Sequence, residues 1–201
     1  MSKELLKDIK FKSEVKDFFK KNKEIILDII LFGSLVRGKE KPRDIDILIL
    51  YKSKKDIDIS YELKKRFKTK GYDVEITDKT YKELFEESFK ARESILSEGY
   101  SLVYDRFLSK GLGYMNLILF KYELKGFSKS DRMRFYYSLY GRSKEQKGIL
   151  KELNTIKFSE TILLCPVQNA EKMKEYLENW KIKFIEFTVM IPSRLKSVLI
   201  P

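Results

Sequence analysis

The sequence predicts an α+β fold distributed over two domains. β-branched apolar runs alternate with segments of helical periodicity along the whole chain. A Gly-containing stretch, KGLG from Lys110 to Gly113, separates two such series. The second series reads β-α-β-α-β, the order of a small α+β domain. The expected domains are residues 1–109 and 110–201.

Ser13 to Asn22 has a helical pattern, with Ser13 placed to cap it and Glu14 in its first turn. Glu24 to Phe32, EIILDIILF, suits a buried strand. Gly33-Ser34 ends that strand and opens a short helix closing at Gly38. Asp44 to Leu50 reads as a second strand, Asp58 to Lys68 as a helix stopped by Gly71, and Tyr72 to Thr77 as a third strand. Lys79 to Phe89 and Arg92 to Ser97 read as helices, and SLVYD as a short extended segment. In the second half, MNLILFKYEL is a strand and SKSDRMRFYYSLYG a helix begun by Ser128 and stopped by Gly141. A polar loop and a short helix at Gly148 to Asn154 follow. ETILLCP is a strand, NAEKMKEYLENW an amphipathic helix capped by Asn169, and KIKFIEFTVMI the last strand.

Composition narrows the chemistry. Of the 201 residues, 43% are hydrophobic and 36% charged, which describes a folded soluble protein. No run approaches the roughly 18 apolar residues of a membrane span, and the charged N-terminal stretch lacks the apolar centre of a signal peptide. The single cysteine, Cys165, can form no intrachain disulfide and is expected to be a small buried hydrophobe, so a cytoplasmic location is expected. The chain contains no His, which excludes His-based acid–base catalysis, His triads and His metal sites. What remains is chemistry on carboxylates, hydroxyls, Lys, Arg or a hard cation held by oxygen. The formal net charge is +12, and after Ser109 there are 17 Lys and Arg against 9 Asp and Glu. Such an excess suits a polyanionic partner, and it equally suits a Lys-rich composition shaped by heat or genome bias.

The most informative stretch is LFGSLVRGKEKPRDIDILIL, from Leu31 to Leu50. In a strand, alternate residues share a face, so Asp44 and Asp46 point the same way inside an apolar run. Two adjacent carboxylates repel, and apolar surroundings would drive one to keep its proton. A divalent cation removes that conflict. Mg²⁺ (or Mn²⁺) takes carboxylate oxygens and leaves positions for phosphates and water. Gly33 allows close backbone approach, and Ser34 would sit at a helix start that favours an anion. Taken alone, Gly33-Ser34 is an ordinary strand end; beside Asp44 and Asp46 it reads as a phosphate-binding element. Arg37 and Arg43 are candidates for meeting phosphate charge, with solvated surface residues as the alternative. YDVEIT offers a third acid, Glu75 or Asp73.

Gly33, Ser34 and Gly38 in G-S-x-x-x-G, followed by Asp44 and Asp46 in D-I-D-I, resemble the signature of the DNA polymerase β-like nucleotidyltransferase superfamily. The minimal, kanamycin-nucleotidyltransferase-like branch is the nearest pattern. VEIT resembles its third-carboxylate strand, with Glu75 at the acidic position, and SILSEGYSLVYD resembles its closing stretch. The resemblance covers roughly residues 13–105. It differs at two points: Arg43 stands where Ser or Thr is usual, and Glu75 where Asp is commoner. The resemblance implies a mixed sheet flanked by helices. It also implies Mg²⁺-dependent transfer of a nucleoside monophosphate from an NTP to a hydroxyl acceptor, with pyrophosphate released. Asp44, Asp46 and Glu75 would ligate metal, and Gly33, Ser34, Arg37 and Arg43 would hold the nucleotide. Acceptors in the superfamily include RNA ends, small molecules such as antibiotics, and partner toxins of antitoxin members.

In the second domain, DRMRFYYSLYGRSKEQKG mixes Arg132, Arg134, Arg142, Lys144 and Lys147 with Phe135, Tyr136, Tyr137 and Tyr140. Such a mixture can stack bases and hold phosphates. It also describes an amphipathic helix, with Met133, Phe135 and Leu139 on its core face. The domain is therefore expected to hold an RNA or protein acceptor. The rival expectation for the whole chain is a non-catalytic, antitoxin-like module that binds nucleic acid or a partner on the same fold.

Overall fold

The structure is a computed structural model that describes residues 9–143 and 146–199. It divides into two compact units, Met1–Leu112 and Gly113–Pro201. Lys144 and the residues before Ile9 lie outside the described residues, so the readings made for them are not carried further.

The first unit is a mixed five-stranded sheet between helices. Its elements are α1 (Ile9–Asn22), β1 (Ile26–Phe32), β2 (Ile45–Tyr51), α2 (Ile57–Thr69), β3 (Val74–Thr80), α3 (Tyr81–Leu84), α4 (Arg92–Glu98), β4 (Tyr100–Ser101), β5 (Arg106–Phe107) and α5 (Leu108–Gly111). The sheet order is β3-β2-β1-β4-β5. β2 pairs antiparallel with β1 and parallel with β3. Strand alternation gives the sheet two faces. Ile30, Leu48 and Leu50 lie on one, packed under Leu84 of α3 and Ile95 of α4 with Phe89, Ala91 and Leu108 around them. Leu31, Ile47, Ile49 and Tyr51 lie on the other and are fully buried. α1 packs on β1 and α2 on β3, and their rings meet as Phe11 stacks on Phe67 at 4.8 Å. Each such side chain contributes roughly 1.5–3 kcal/mol by leaving water.

Several boundaries differ from those expected. α1 already includes Ile9, so Ser13 is not a cap; its Oγ donates to Asp17 Oδ2 one turn on. β3 runs on to Thr80, where a helix over Lys79 to Phe89 was expected, because β2 continues to Tyr51 and supplies ladder partners for Lys79 and Thr80. Thr80 then caps the single turn α3, its Oγ1 accepting from Glu83 N while Glu83 Oε2 accepts from Thr80 N. Gly33 to Gly38 forms hydrogen-bonded turns, with no helix there.

The second unit contains β6 (Tyr114–Glu123), α6 (Lys129–Tyr140), α7 (Ile149–Glu152), β7 (Ile156–Ser159), β8 (Ile162–Pro166), α8 (Ala170–Asn179), β9 (Lys183–Pro192) and α9 (Lys196–Leu199). Its antiparallel sheet has the order β7-β8-β6-β9. Apart from the single turns α7 and α9, the succession is β-α-β-β-α-β, the ferredoxin-like arrangement. This corrects the expected β-α-β-α-β. The added strand, β7, is four residues long, sits at the sheet edge and ends in two exposed residues, Phe158 and Ser159, so it carries little periodic signal. Ser128 caps α6 as expected, accepting from Asp131 N. Asn169 holds the N-cap position of α8 without a side-chain capping bond: it is buried and donates from Nδ2 to Leu153 O at 2.7 Å. Met133 is 46% exposed, so the core face of α6 is Phe135 and Leu139 without it. Cys165 is fully buried, and burial pushes its thiol up to about 12.

Candidate functional site

The acids gather where β1 hands over to β2. β1 ends at Phe32, directly opposite Asp46, and Asp46 has Glu75 of β3 as its partner on the other side. Phe32, Asp46 and Glu75 thus form one row across three strands, on the face that carries Leu48 and Leu50 farther in. Asp44 lies in a bend just before β2 rather than in the strand, two residues from Asp46. Asp44 and Asp46 are half-buried and Glu75 is exposed. Asp46 is held above the ordinary aspartate range by burial first, then by the charge of Asp44, then by that of Glu75. Asp73 is not among the groups that act on it. Its carbonyl instead accepts from Ile45 N at 3.0 Å, where β2 and β3 come together. The parallel register therefore brings Glu75, not Asp73, beside Asp46.

The turn after β1 folds back over this acid. Gly33 adopts φ +76°, a left-handed conformation that favours glycine. A Cβ built on it would lie 3.0 Å from Asp46 Cγ and closer still to Oδ2, so no other residue fits without displacing the carboxylate. Gly38, at φ +97°, closes the turn. Between the two glycines, Leu35 and Val36 are buried and anchor the loop. Arg37 N donates to Gly33 O, Gly38 N to Leu35 O and Lys39 N to Ser34 O. Among the described residues, the N–H groups of Ser34, Leu35 and Val36 enter no such backbone bond. Successive amide groups in a tight turn form a concavity suited to an anion. Ser34 therefore stands in a turn instead of at a helix start. Ser34 and Arg37 are half-buried, and Arg43 is exposed.

The donor set suits a hard cation: three carboxylates, two of which raise the third. Among the described residues, no three acidic or cysteine side chains stand close enough together to hold an ion as placed. The same face of β3 also carries residues that sequence reasoning passed over. Thr77 and Lys79 continue the face of Glu75 along β3, and Lys79 Nζ lies 4.7 Å above the Phe89 ring. Their spacing of two and four residues from Glu75 was the available signal.

Residues 13–101 match a family model described as polymerase beta, nucleotidyltransferase. No curated protein matches the chain at a significant level. Among solved structures, a mutant of the toxin–antitoxin pair MntA-HpeT is similar at 22% identity. The match covers 45% of this chain and 70% of that one with a TM-score of 0.36. Among the described residues, no helix is long and apolar enough to cross a membrane.

Proposed function

We propose that the first unit, whose residues 13–101 form a polymerase β-type nucleotidyltransferase domain, moves a nucleoside monophosphate from an NTP to a hydroxyl acceptor. The observation that supports this best is Asp46, pressed against the Gly33 turn and raised by burial and by the charges of Asp44 and Glu75. A carboxylate in that position is uncomfortable without a positive partner.

In the reaction, the acceptor oxygen bonds to the α-phosphorus and the bond from that phosphorus to the bridging oxygen breaks, releasing pyrophosphate. Asp44, Asp46 and Glu75 would hold Mg²⁺ or Mn²⁺, which when bound neutralises charge on the entering and leaving oxygens. The Ser34, Leu35 and Val36 N–H groups and the Ser34 hydroxyl would donate hydrogen bonds to the triphosphate oxygens. Arg37 and Arg43 would offset their remaining charge. Glu75, the most exposed of the three acids, would take the proton of the acceptor hydroxyl. We assign acceptor holding to residues 110–201. The excess of cations there favours an RNA end over a protein or a small molecule.

Thermal melting with each NTP, with and without Mg²⁺ or Mn²⁺, tests this without a known acceptor. A ligand that binds the native state raises the melting temperature. The expected result is a metal-dependent rise with at least one NTP that is absent in Asp46→Asn, followed by transfer of label from an α-labelled NTP. No rise at millimolar nucleotide with either metal would overturn the proposal and leave a binding module on the same fold.

A further inference from the structure

The basic and aromatic residues of α6 divide by what they touch. Arg132 donates to the carbonyls of Phe127 and Leu124, both at 3.3 Å, and so braces the turn before the helix. Phe135 and Leu139 are core. Tyr136 and Tyr140 enclose Lys157, whose Nζ lies 5.6 and 5.4 Å from their ring centroids. The rest converge elsewhere. Arg134, Tyr137, Arg142, Gln146, Lys147 and Trp180 line a cleft of about 360 Å³ beside the end of α6.

That cleft is built. Gly141 ends α6 at φ +89°, and a Cβ on it would lie 2.9 Å from Gly148 N and overlap Gln146 O. A Cβ on Gly148 would overlap Leu139 O and Gly141 N in turn. The two glycines therefore clasp the loop backbone to backbone, and Gln146 N donates to Ser143 Oγ inside it at 3.2 Å. The clasp fixes the stems that carry Arg142 and Lys147. Neither makes an ion pair with a described carboxylate, Arg134 meets Asp131 of its own helix at 3.7 Å, and among the described residues no acid lines the cleft. The Arg142 guanidinium lies 5.5 Å from the centroid of the Tyr137 ring, itself 44% exposed. Trp180 is held by Phe135 at 5.5 Å and Phe127 at 6.4 Å between centroids.

Cations for phosphate beside aromatic faces for bases are the two elements by which single strands are held. We propose that this cleft binds single-stranded nucleic acid, with Arg134, Arg142 and Lys147 on the phosphates and Tyr137 and Trp180 against the bases. The inference concerns the second unit and stands apart from the transferase reading.

Trp180 is the only tryptophan of the chain, so its fluorescence reports on this cleft directly. The full-length protein would be titrated with 12-nucleotide oligo-U and oligo-dT, a duplex of the same length and inorganic phosphate. Saturable quenching by a single strand, weaker for duplex and absent for phosphate, is expected. Its affinity should fall with salt at a log–log slope of about −2 for three phosphate contacts. Arg142→Glu with Lys147→Glu should weaken binding at least tenfold, while Lys64→Glu with Lys68→Glu, the same charge change on exposed sites of α2, should weaken it less than threefold. All four sites are exposed, and melting temperatures would show that both pairs fold. Absence of quenching by either oligonucleotide, or equal losses in the two variant pairs, would overturn the proposal. A preference between oligo-U and oligo-dT would assign the cleft to RNA or to DNA. None of these readouts involves transfer, so this proposal and that of the first unit fail separately.

Discussion

Asp28 and Asp46 lie on one face of one sheet, at opposite ends of the β1–β2 pair, and burial raises both. Asp28 is provided for. Its Oδ1 accepts from Ser101 Oγ at 2.8 Å and from Ile29 N at 2.7 Å, and Ser101 Oγ in turn accepts from Tyr104 N. The Asp28 carboxyl ties β1 to the turn after β4 and, at 5% exposure, is closed to any ligand. Asp46 has the reverse surroundings. Nothing that acts on it favours the charged form: after burial, both influences are carboxylates. The first acid completes a fold. Under the proposed function the second would find its positive partner in a bound cation, and the contrast between them is one between a satisfied acid and an unsatisfied one.

Removing each acid should therefore have opposite consequences, and the largest effect belongs to Asp46. Asp46→Asn should reduce nucleotidyl transfer on the order of a thousandfold, several kcal/mol of transition-state stabilisation. The metal-free protein should melt at the same temperature or higher, because a repulsion is gone. Scanning calorimetry beside a labelled-NTP assay measures both. A variant that melts lower and keeps its activity would place Asp46 with Asp28 among the structural acids.

Asp28 provides the next effect, read through pH. Its folded-state value is raised from 3.8 to about 6, chiefly by burial. Stability from this group is then full below about pH 3.8 and is lost as pH rises through about 6. About two units correspond to about 3 kcal/mol. Urea unfolding across pH 4 to 7 should show that decline in the wild type and lose it in Asp28→Asn. A decline that survives in Asp28→Asn would assign the dependence to another group.

Gly33→Ala comes third. The left-handed φ costs an alanine roughly 1–2 kcal/mol, and the added methyl also meets Asp46. In Gly33→Ala/Asp46→Ala the second cost should vanish while the first stays, giving a coupling of about 1 kcal/mol in a double-mutant cycle of urea midpoints. Strict additivity would mean that the turn and the acid are not pressed together.

These three tests rest on features that differ in how far they could be read from the sequence. The strand carrying Asp46 announces itself, since the ILIL run and the two-residue spacing of the acids are local. The partnership of Asp28 with Ser101 is not, because it joins residues 73 positions apart in sequence. The length of β3 was equally hidden. Lys79 to Phe89 has helical spacing, and only pairing with β2 extends the strand through Lys79 and Thr80. Gly33 to Gly38 looked helical because a short loop between turn residues leaves too little pattern to distinguish a helix from linked turns. In the second unit, the basic and aromatic residues of α6 were legible as a group. The clasp of Gly141 on Gly148, and the arrival of Trp180 from the end of α8, were not.

The smallest effect decides between the two acids of YDVEIT. Sequence spacing alone left Asp73 and Glu75 as alternatives, both exposed and two residues apart. The parallel ladder resolves their positions: Glu75 is the partner of Asp46, whereas Asp73 precedes the strand and offers its carbonyl to Ile45. Glu75 reaches the row through one more methylene than an aspartate and from the exposed edge of the sheet. Its contribution should therefore be smaller than that of Asp46. Glu75→Gln should lower transfer by about ten- to a hundredfold, or roughly 1.4–2.7 kcal/mol, with Asp73→Asn within twofold of wild type. If proton removal is part of its role, the loss in Glu75→Gln should shrink as pH rises and the acceptor ionises unaided, whereas a ligation role leaves the loss constant. The reverse ranking, with Asp73→Asn the more damaging, would mean that the acceptor approaches from the strand end rather than across the ladder.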